Sequence, residues 1–400
     1  MTTTTADQMR AWHGPAILSY GFRPFFLGGS CWAAMAMVLW IAMLTGYLAL
    51  PTAFDPVSWH AHEFLYGYLG AVAAGFLLTA VPNWTGRLPI VGWRLGGLAA
   101  LWLAGRLGVA VSGGLPVWLV AAIDLAFPLV LALAIGREIV AGRNWRNLIV
   151  LGMLSVFAAG NALFHLEAAR GDYAAHGMGL RLGLGTGIMM IAVIGGRIIP
   201  SFTRNWMVRR GEASLPVPPM QWFDRLALIA LLAALLVWVI RPEVTASGIA
   251  LLVVGGMHLV RLARWRGHRT FAEPLVLVLH VGYLFLPLGA LAIGAEILLP
   301  GTFGQAAAEH LWTAGAIGMM TLAVMTRASL GHTGQALAAG PTTVAIYVSI
   351  GLATLVRVCA GYWPEAVSWL HPLAGLAFVL AFLGFALVYG PALLRPRCRN

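Results

Sequence analysis

The stretch PLVLVLHVGYLFLPLGALAIGAEILL, Pro274 to Leu299, decides the fold class. Within it only His280 and Glu296 could carry charge near neutral pH. A helix rising about 1.5 Å per residue needs roughly twenty such residues to cross the hydrocarbon of a bilayer. Similar runs recur from residue 25 to residue 394, and no soluble-sized polar stretch follows any of them. The 400 residues are 60% hydrophobic and only 10% charged, and the mean hydropathy of +0.84 lies outside the soluble range. The bilayer is therefore the solvent. The chain reads as an all-α, polytopic integral membrane protein of about twelve transmembrane helices. They are expected near 25–49, 60–82, 95–112, 116–136, 147–166, 177–199, 223–240, 245–262, 274–299, 306–326, 342–363 and 370–393. The expected organisation is a cytoplasmic N-terminal segment, 1–24, a single transmembrane domain, 25–394, and a basic cytoplasmic tail, 395–400. Met1 to Met9 is polar and Thr-rich and lacks the order of a secretory signal, so the first span is expected to be retained.

All 25 basic residues are arginine, and the formal net charge is +11. Alternate helix ends hold nearly all of them. One set carries Arg10, Arg23, Arg87, Arg94, Arg137, Arg143, Arg146, Arg197, Arg204, Arg209, Arg210 and Arg225, and continues with Arg261, Arg264, Arg266, Arg269, Arg327, Arg395, Arg397 and Arg399. The opposite set holds Arg170, Arg181 and Arg241. Because arginine beside a span resists translocation, this places both termini in the cytoplasm, and it accounts for the charge without nucleic acid. The longest loop expected, Ile199 to Trp222, is basic and then proline-rich. Cys31, Cys359 and Cys398 have no paired spacing, so neither a disulfide framework nor a thiolate metal site is expected.

Three helix ends share a vocabulary: Ala80-Val81-Pro82-Asn83-Trp84-Thr85-Gly86-Arg87, Ala192-Val193-Ile194-Gly195-Gly196-Arg197, and Ala323-Val324-Met325-Thr326-Arg327. They close the second, sixth and tenth spans, which hints at three four-helix units; common membrane-exit wording is the alternative.

Histidine carries the chemistry. Eleven occur, most of them at or within spans, where an ionisable side chain costs roughly 2.5–3.5 kcal/mol on insertion scales and needs a partner, a cavity or a cofactor. Imidazole ligates haem iron and copper and also carries protons near neutral pH. Toward the outer face lie His60, His62 and Glu63, with His165, His176, His310 beside Glu309, and His371; toward the cytoplasmic face lie His258 and His280, with His332 in the loop after the tenth span. Trp59-His60-Ala61-His62-Glu63 concentrates two imidazoles and a carboxylate in one turn, and helix capping is the competing reading. On a regular helix His60 and His62 point about 200° apart, so one ion takes both only if His60 is still in the loop. His258 and His280, at similar depth on consecutive helices, could grip a haem; buried hydrogen-bonded imidazoles are the alternative. His165, His176 and His371 read as headgroup-level polar residues. Arg106 and Asp124 read as a salt bridge between adjoining helices, with propionate binding by Arg106 or Arg357 as the other possibility. Phosphate loops, dinucleotide-binding glycine patterns, hydrolase elbows and covalent haem-attachment motifs are absent from the sequence.

Five stretches together resemble the NnrS family: Gly21-Phe22-Arg23-Pro24-Phe25-Phe26, Trp59-His60-Ala61-His62-Glu63, Gly75 through Gly86, Gly196-Arg197-Ile198-Ile199-Pro200, and Met325 through Gly334. The likeness runs in order over nearly the whole chain. It implies a bacterial inner-membrane protein with haem b, held noncovalently, and copper, acting in the nitric oxide and nitrosative stress response linked to denitrification. Nitric oxide or iron-nitrosyl species are then the expected partners beside the lipid bilayer. The resemblance adds weight to His60, His62, His280, His310, His332 and Arg327 without assigning haem or copper to any of them; the candidate set is then His60, His62, His310 and His332 for metal and His258, His280 and Arg327 for cofactor. One departure is Gln335, where the family pattern leads one to expect arginine. A proton-coupled transporter using buried His and Glu, and a haem-copper redox enzyme acting on nitric oxide or oxygen, are the competing functions; the latter would need an adjacent His-His pair, which the sequence lacks.

Overall fold

A computed structural model describes residues 12–86 and 89–396, and these form helices with short connectors. Arg10, Arg87, Arg397, Cys398 and Arg399 lie outside the described residues. In chain order the long helices are α1 (Phe22–Leu44) and α2, assembled from Pro56–His62, a π-helical segment Glu63–Leu69 and Gly70–Thr85. Then come α3 (Trp93–Ala110), α4 (Val117–Ala141), α5 (Leu148–Ala169), α6 (Met178–Arg209), α7 (Trp222–Ile240), α8 (Thr245–Ala263) and α9 (Pro274–Leu298). The series ends with α10, assembled from Gln305–His310, a second π-helical segment Leu311–Gly318 and Met319–Thr333, then α11 (Pro341–Tyr362) and α12 (Val367–Leu394).

Local chemistry sets several of these boundaries. Asp55 caps α2 by accepting from the amides of Val57 and Ser58 at 3.0 Å, and Pro56 occupies the first helical position. Gln221 and Asp224 form a reciprocal capping box at the start of α7. Gly86 closes α2 in the left-handed region at φ 68°. Large apolar side chains cover the outside: Leu133, Ile229 and Leu387 are 73%, 66% and 68% exposed, which water would penalise and lipid does not. Among the described residues ten helices are long and apolar enough to cross a membrane, and the protein is a multi-pass, all-helical membrane protein. Helices also stand where the third and tenth spans are expected. The third holds Arg94 and Arg106 within its length, and the tenth is assembled from three shorter pieces.

Two expectations are corrected. The long loop from Ile199 does not exist as such, because α6 continues to Arg209. That extension is amphipathic: Trp206 and Met207 are buried with Val276, against Phe202 and Leu215, so burial of one face carries the helix on past Pro200. His332 likewise lies in the last turn of α10 rather than in a loop.

Contacts divide the chain into two compact units, Met1–Gly183 with Ala328–Gln335 and Phe382–Asn400, and Leu184–Arg327 with Ala336–Ala381. In the first unit Arg23, 3% exposed, donates through Nη1 to the carbonyl oxygens of Leu393 at 2.9 Å and Arg395 at 2.6 Å. It joins the start of α1 to the end of α12. In the second unit Arg261 of α8 is fully buried and donates to Asp224 Oδ1 at 2.8 Å, the Ala192 carbonyl at 2.9 Å and the Tyr283 hydroxyl oxygen at 2.8 Å.

Candidate metal centre

The first unit draws six of its buried polar side chains, His62, Glu63, Arg106, Asp124, Asn161 and His165, into one cluster. The loops between α3 and α4 and between α4 and α5 are short, so Arg106 near the end of α3, Asp124 near the start of α4 and His165 near the end of α5 fall at the same end of the unit. Asn161 and His165 are one helical turn apart and share a face of α5. Across from them α2 presents His62 as the last residue of its first α-helical piece and Glu63 as the first residue of the π-helical segment.

Asp124 is the hub. Its Oδ2 accepts from Asn161 Nδ2 at 2.7 Å and lies 3.0 Å from His165 Nε2 and 3.2 Å from His62 Nε2. Its Oδ1 accepts from Arg106 Nη2. Arg106 Nη1 donates to Glu63 Oε1 at 2.8 Å, and the same oxygen lies 3.0 Å from His62 Nδ1. His62 Nε2 also lies 3.0 Å from Asn161 Oδ1. Both nitrogens of His62 thus face oxygen atoms, and the salt bridge read between Arg106 and Asp124 is present. Phe54 and Phe164 stand with ring centroids 5.3 Å from that of His62, which seals the cluster from solvent. The wide turn of α2 has its own support. Trp102 Nε1 donates at 2.9 Å to the Gly67 carbonyl, supplying a partner where the π-helical turn departs from the α-helical ladder.

A small cation suits these residues. One donor atom from each of His62, Asp124 and His165 lies within 4.8 Å of the others, all three residues being buried, and an N, O, N set of imidazole and carboxylate is one that copper, zinc and iron accept. Glu63 Oε2 is a buried oxygen with no hydrogen-bond partner, so the cluster keeps acceptor capacity beyond its internal bonds. A cavity of ≈ 20 Å³, bordered by Phe54, Ser112, Val120, His165 and Ala168 among others, abuts the cluster on the His165 side. Such a volume holds one molecule the size of water.

The remaining predicted residues are dispersed. His60 does not join His62 on one ion: both are helical, and its ring stacks on Trp40 at 4.6 Å between centroids and lies tilted against Phe64 at 4.7 Å. His258 has both ring nitrogens engaged, Nδ1 with the Tyr283 hydroxyl at 2.8 Å and Nε2 with the Ala227 carbonyl at 3.3 Å. His280 faces Thr203 through Nε2 at 2.8 Å. His310 Nδ1 lies 2.5 Å from the Ala306 carbonyl one turn back. His332 packs its ring against Tyr20 and Phe22 at 5.2 and 5.4 Å, and the Arg327 guanidinium lies 3.9 Å from the centre of the Phe202 ring. Sequence reasoning placed His165 at the headgroup level and left Asp124 to its salt bridge. The spacing of Asn161 and His165, opposite an intramembrane aspartate on the preceding helix, was the available signal.

Compared with known families, the chain matches the family described as NnrS protein over residues 16–397. No curated protein matches it.

Proposed function

We propose, from the premise that the chain belongs to the NnrS family, that it is a haem- and copper-binding protein of the bacterial inner membrane acting in the nitric oxide and nitrosative stress response linked to denitrification. Family membership supports a nitric-oxide-response membrane protein, and the apolar helices make it multi-pass. The observation that carries the metal part of the reading is the buried set His62, Asp124 and His165. A metal held there would supply a centre able to take up a small neutral ligand or to exchange electrons with it. The chain's own residues do the rest. Asp124 orients both imidazoles, Arg106 balances the charge of Asp124 and Glu63, and Phe54 and Phe164 keep water away. The cavity beside His165 is of the size through which a diatomic such as nitric oxide would arrive. Haem b, held noncovalently, enters this reading through family membership; His258 has both ring nitrogens engaged within the protein.

Copper content, haem content and optical spectra of the purified protein test this. Wild type is compared with variants in which His60, His62, Asp124, His165, His258, His280, His310 and His332 are replaced one at a time by Ala. The expected result is a Soret band and bound copper in the wild type, with copper falling at least tenfold in His62→Ala, Asp124→Ala and His165→Ala. A colourless, metal-free protein after expression with haem precursor and copper salts overturns the reading. That outcome favours proton-coupled transport through the same buried His, Glu and Asp residues. Steady-state consumption of nitric oxide with a reductant, faster than free haem, would instead mark a redox enzyme.

A further inference from the structure

Arg106 and Arg357 each stand little more than a turn before the end of an apolar helix, α3 and α11 respectively. Arg106 is neutralised by Glu63 and Asp124. Arg357 has no such partner: among the described residues it makes neither an ion pair nor a hydrogen bond. It follows Ile346, Ile350 and Thr354 at helical spacing, so it leaves α11 beside the packed face and is half-buried. Beyond the short connector Trp363–Ala366, α12 brings His371 close enough for the Arg357 guanidinium to act on its ring. His371 is likewise half-buried and makes no hydrogen bond or ion pair. Glu365, in the connector, is exposed and pairs with neither. A guanidinium and an imidazole thus meet without an anion. Tyr362, Trp363 and Trp369, on the connector and the helix ends beside it, are exposed, and such rings settle at the level of lipid headgroups. At about 1.5 Å per residue Arg357 lies roughly 7 Å from the end of α11, a depth its own side chain spans.

We infer that Arg357 and His371 form a binding site for the phosphodiester of one membrane phospholipid. An arginine within a span needs a counter-charge, and here the chain supplies none. The guanidinium fork matches two oxygens of a phosphate, and the imidazole adds a third donor. A phosphodiester carries a single negative charge, which balances the single permanent positive charge of the pair. The flank of the site selects a lipid over a free anion. Leu352 and Leu355 of α11 and Leu373 and Leu376 of α12 lie deeper along the two helices and are exposed, so acyl chains attached to the phosphate have apolar surface to cover. This goes beyond the reading above, since it concerns different residues and needs neither haem nor copper.

The test is native mass spectrometry and thermal melting of the full-length protein, stripped of lipid in an uncharged maltoside detergent. Three probes are added back separately: phosphatidylglycerol, diacylglycerol with the same acyl chains, and inorganic phosphate. Wild type is expected to hold one equivalent of phosphatidylglycerol at least tenfold more tightly than Arg357→Leu, and to melt higher with it than with diacylglycerol. His371→Ala should weaken the same equivalent by a smaller factor. Without lipid, Arg357→Leu should melt no lower than wild type, because the charge it removes has no partner. The variant His62→Ala should keep the phospholipid, which separates this site from the proposed metal centre. Circular dichroism shows which variants are folded; should Arg357→Leu not fold, the wild-type comparison of phosphatidylglycerol with diacylglycerol decides. Equal phosphatidylglycerol affinity in wild type and folded Arg357→Leu overturns the proposal, as does an equal response of wild type to diacylglycerol. A matching shift from inorganic phosphate alone overturns the lipid assignment in favour of a free anion. Loss of haem from Arg357→Leu with phospholipid binding unchanged assigns the guanidinium to a propionate instead and likewise overturns it.

Discussion

At the scale of single residues, Asp124 determines whether the first unit can keep Arg106 and His62 away from water. It meets Arg106, Asn161, His165 and His62, so removing it strands a buried guanidinium. Breaking a buried pair from one side typically costs about 3–5 kcal/mol, whereas replacing both partners with apolar residues costs much less. Asp124→Ala should therefore lower the thermal midpoint of the metal-free protein sharply, and Asp124→Leu with Arg106→Leu should lower it by less than the sum of the single changes. Strict additivity would mean that the two side chains do not depend on each other. The ion pair and the ionisable character of the site were legible in the sequence, because each such residue within a span needs a partner. Which histidine would complete the set was not. His62 and His60 are equivalent by composition, and only the packing of Trp40 and Phe64 around one and of Asp124 beside the other separates them.

Among the elements, the π-helical segment Glu63–Leu69 matters most, because it sets where the ends of α2 face relative to each other. An extra residue in one turn rotates the two flanking helical pieces by about 100° relative to each other. Gly67 sits at the inside of that turn, and a Cβ there would press on Arg106 Nη1 and stand 3.0 Å from Glu63 Oε2. Both groups are pinned by ion pairs, so neither can swing aside cheaply. Gly67→Ala is expected to destabilise the protein by ~1–3 kcal/mol and to reduce bound copper, measured by thermal melting and metal analysis; a variant as stable and as metal-loaded as wild type would show that the segment tolerates rearrangement. No pattern of residue types signals such a segment. Its apolar run reads the same in α and π geometry, and the partner that supports it, Trp102, comes from a different helix. The end of α6 escaped for a related reason: Arg204 and Arg209 looked like loop, while Trp206 and Met207 had a buried face to fill.

Over the whole molecule, hydrophobic run length located the helices well, because in lipid each backbone amide must be satisfied within its own segment. Helix α9 begins at Pro274 and ends at Leu298, one residue short of the end expected from hydropathy. The distribution of arginine makes a prediction on this scale. A reporter that is active only in the cytoplasm should be active when fused at either terminus, and a reporter active only outside should be silent at both. The reverse pattern at one end would mean an odd number of crossings. Arg23 adds a constraint of timing. Its guanidinium lies 370 and 372 residues ahead of two of its acceptors, the Leu393 and Arg395 carbonyls. Until those residues are made that charge must wait beside the membrane without them, and a product that stops before Leu393 never receives them. The stability of the first helix in this way depends on residues made long after it.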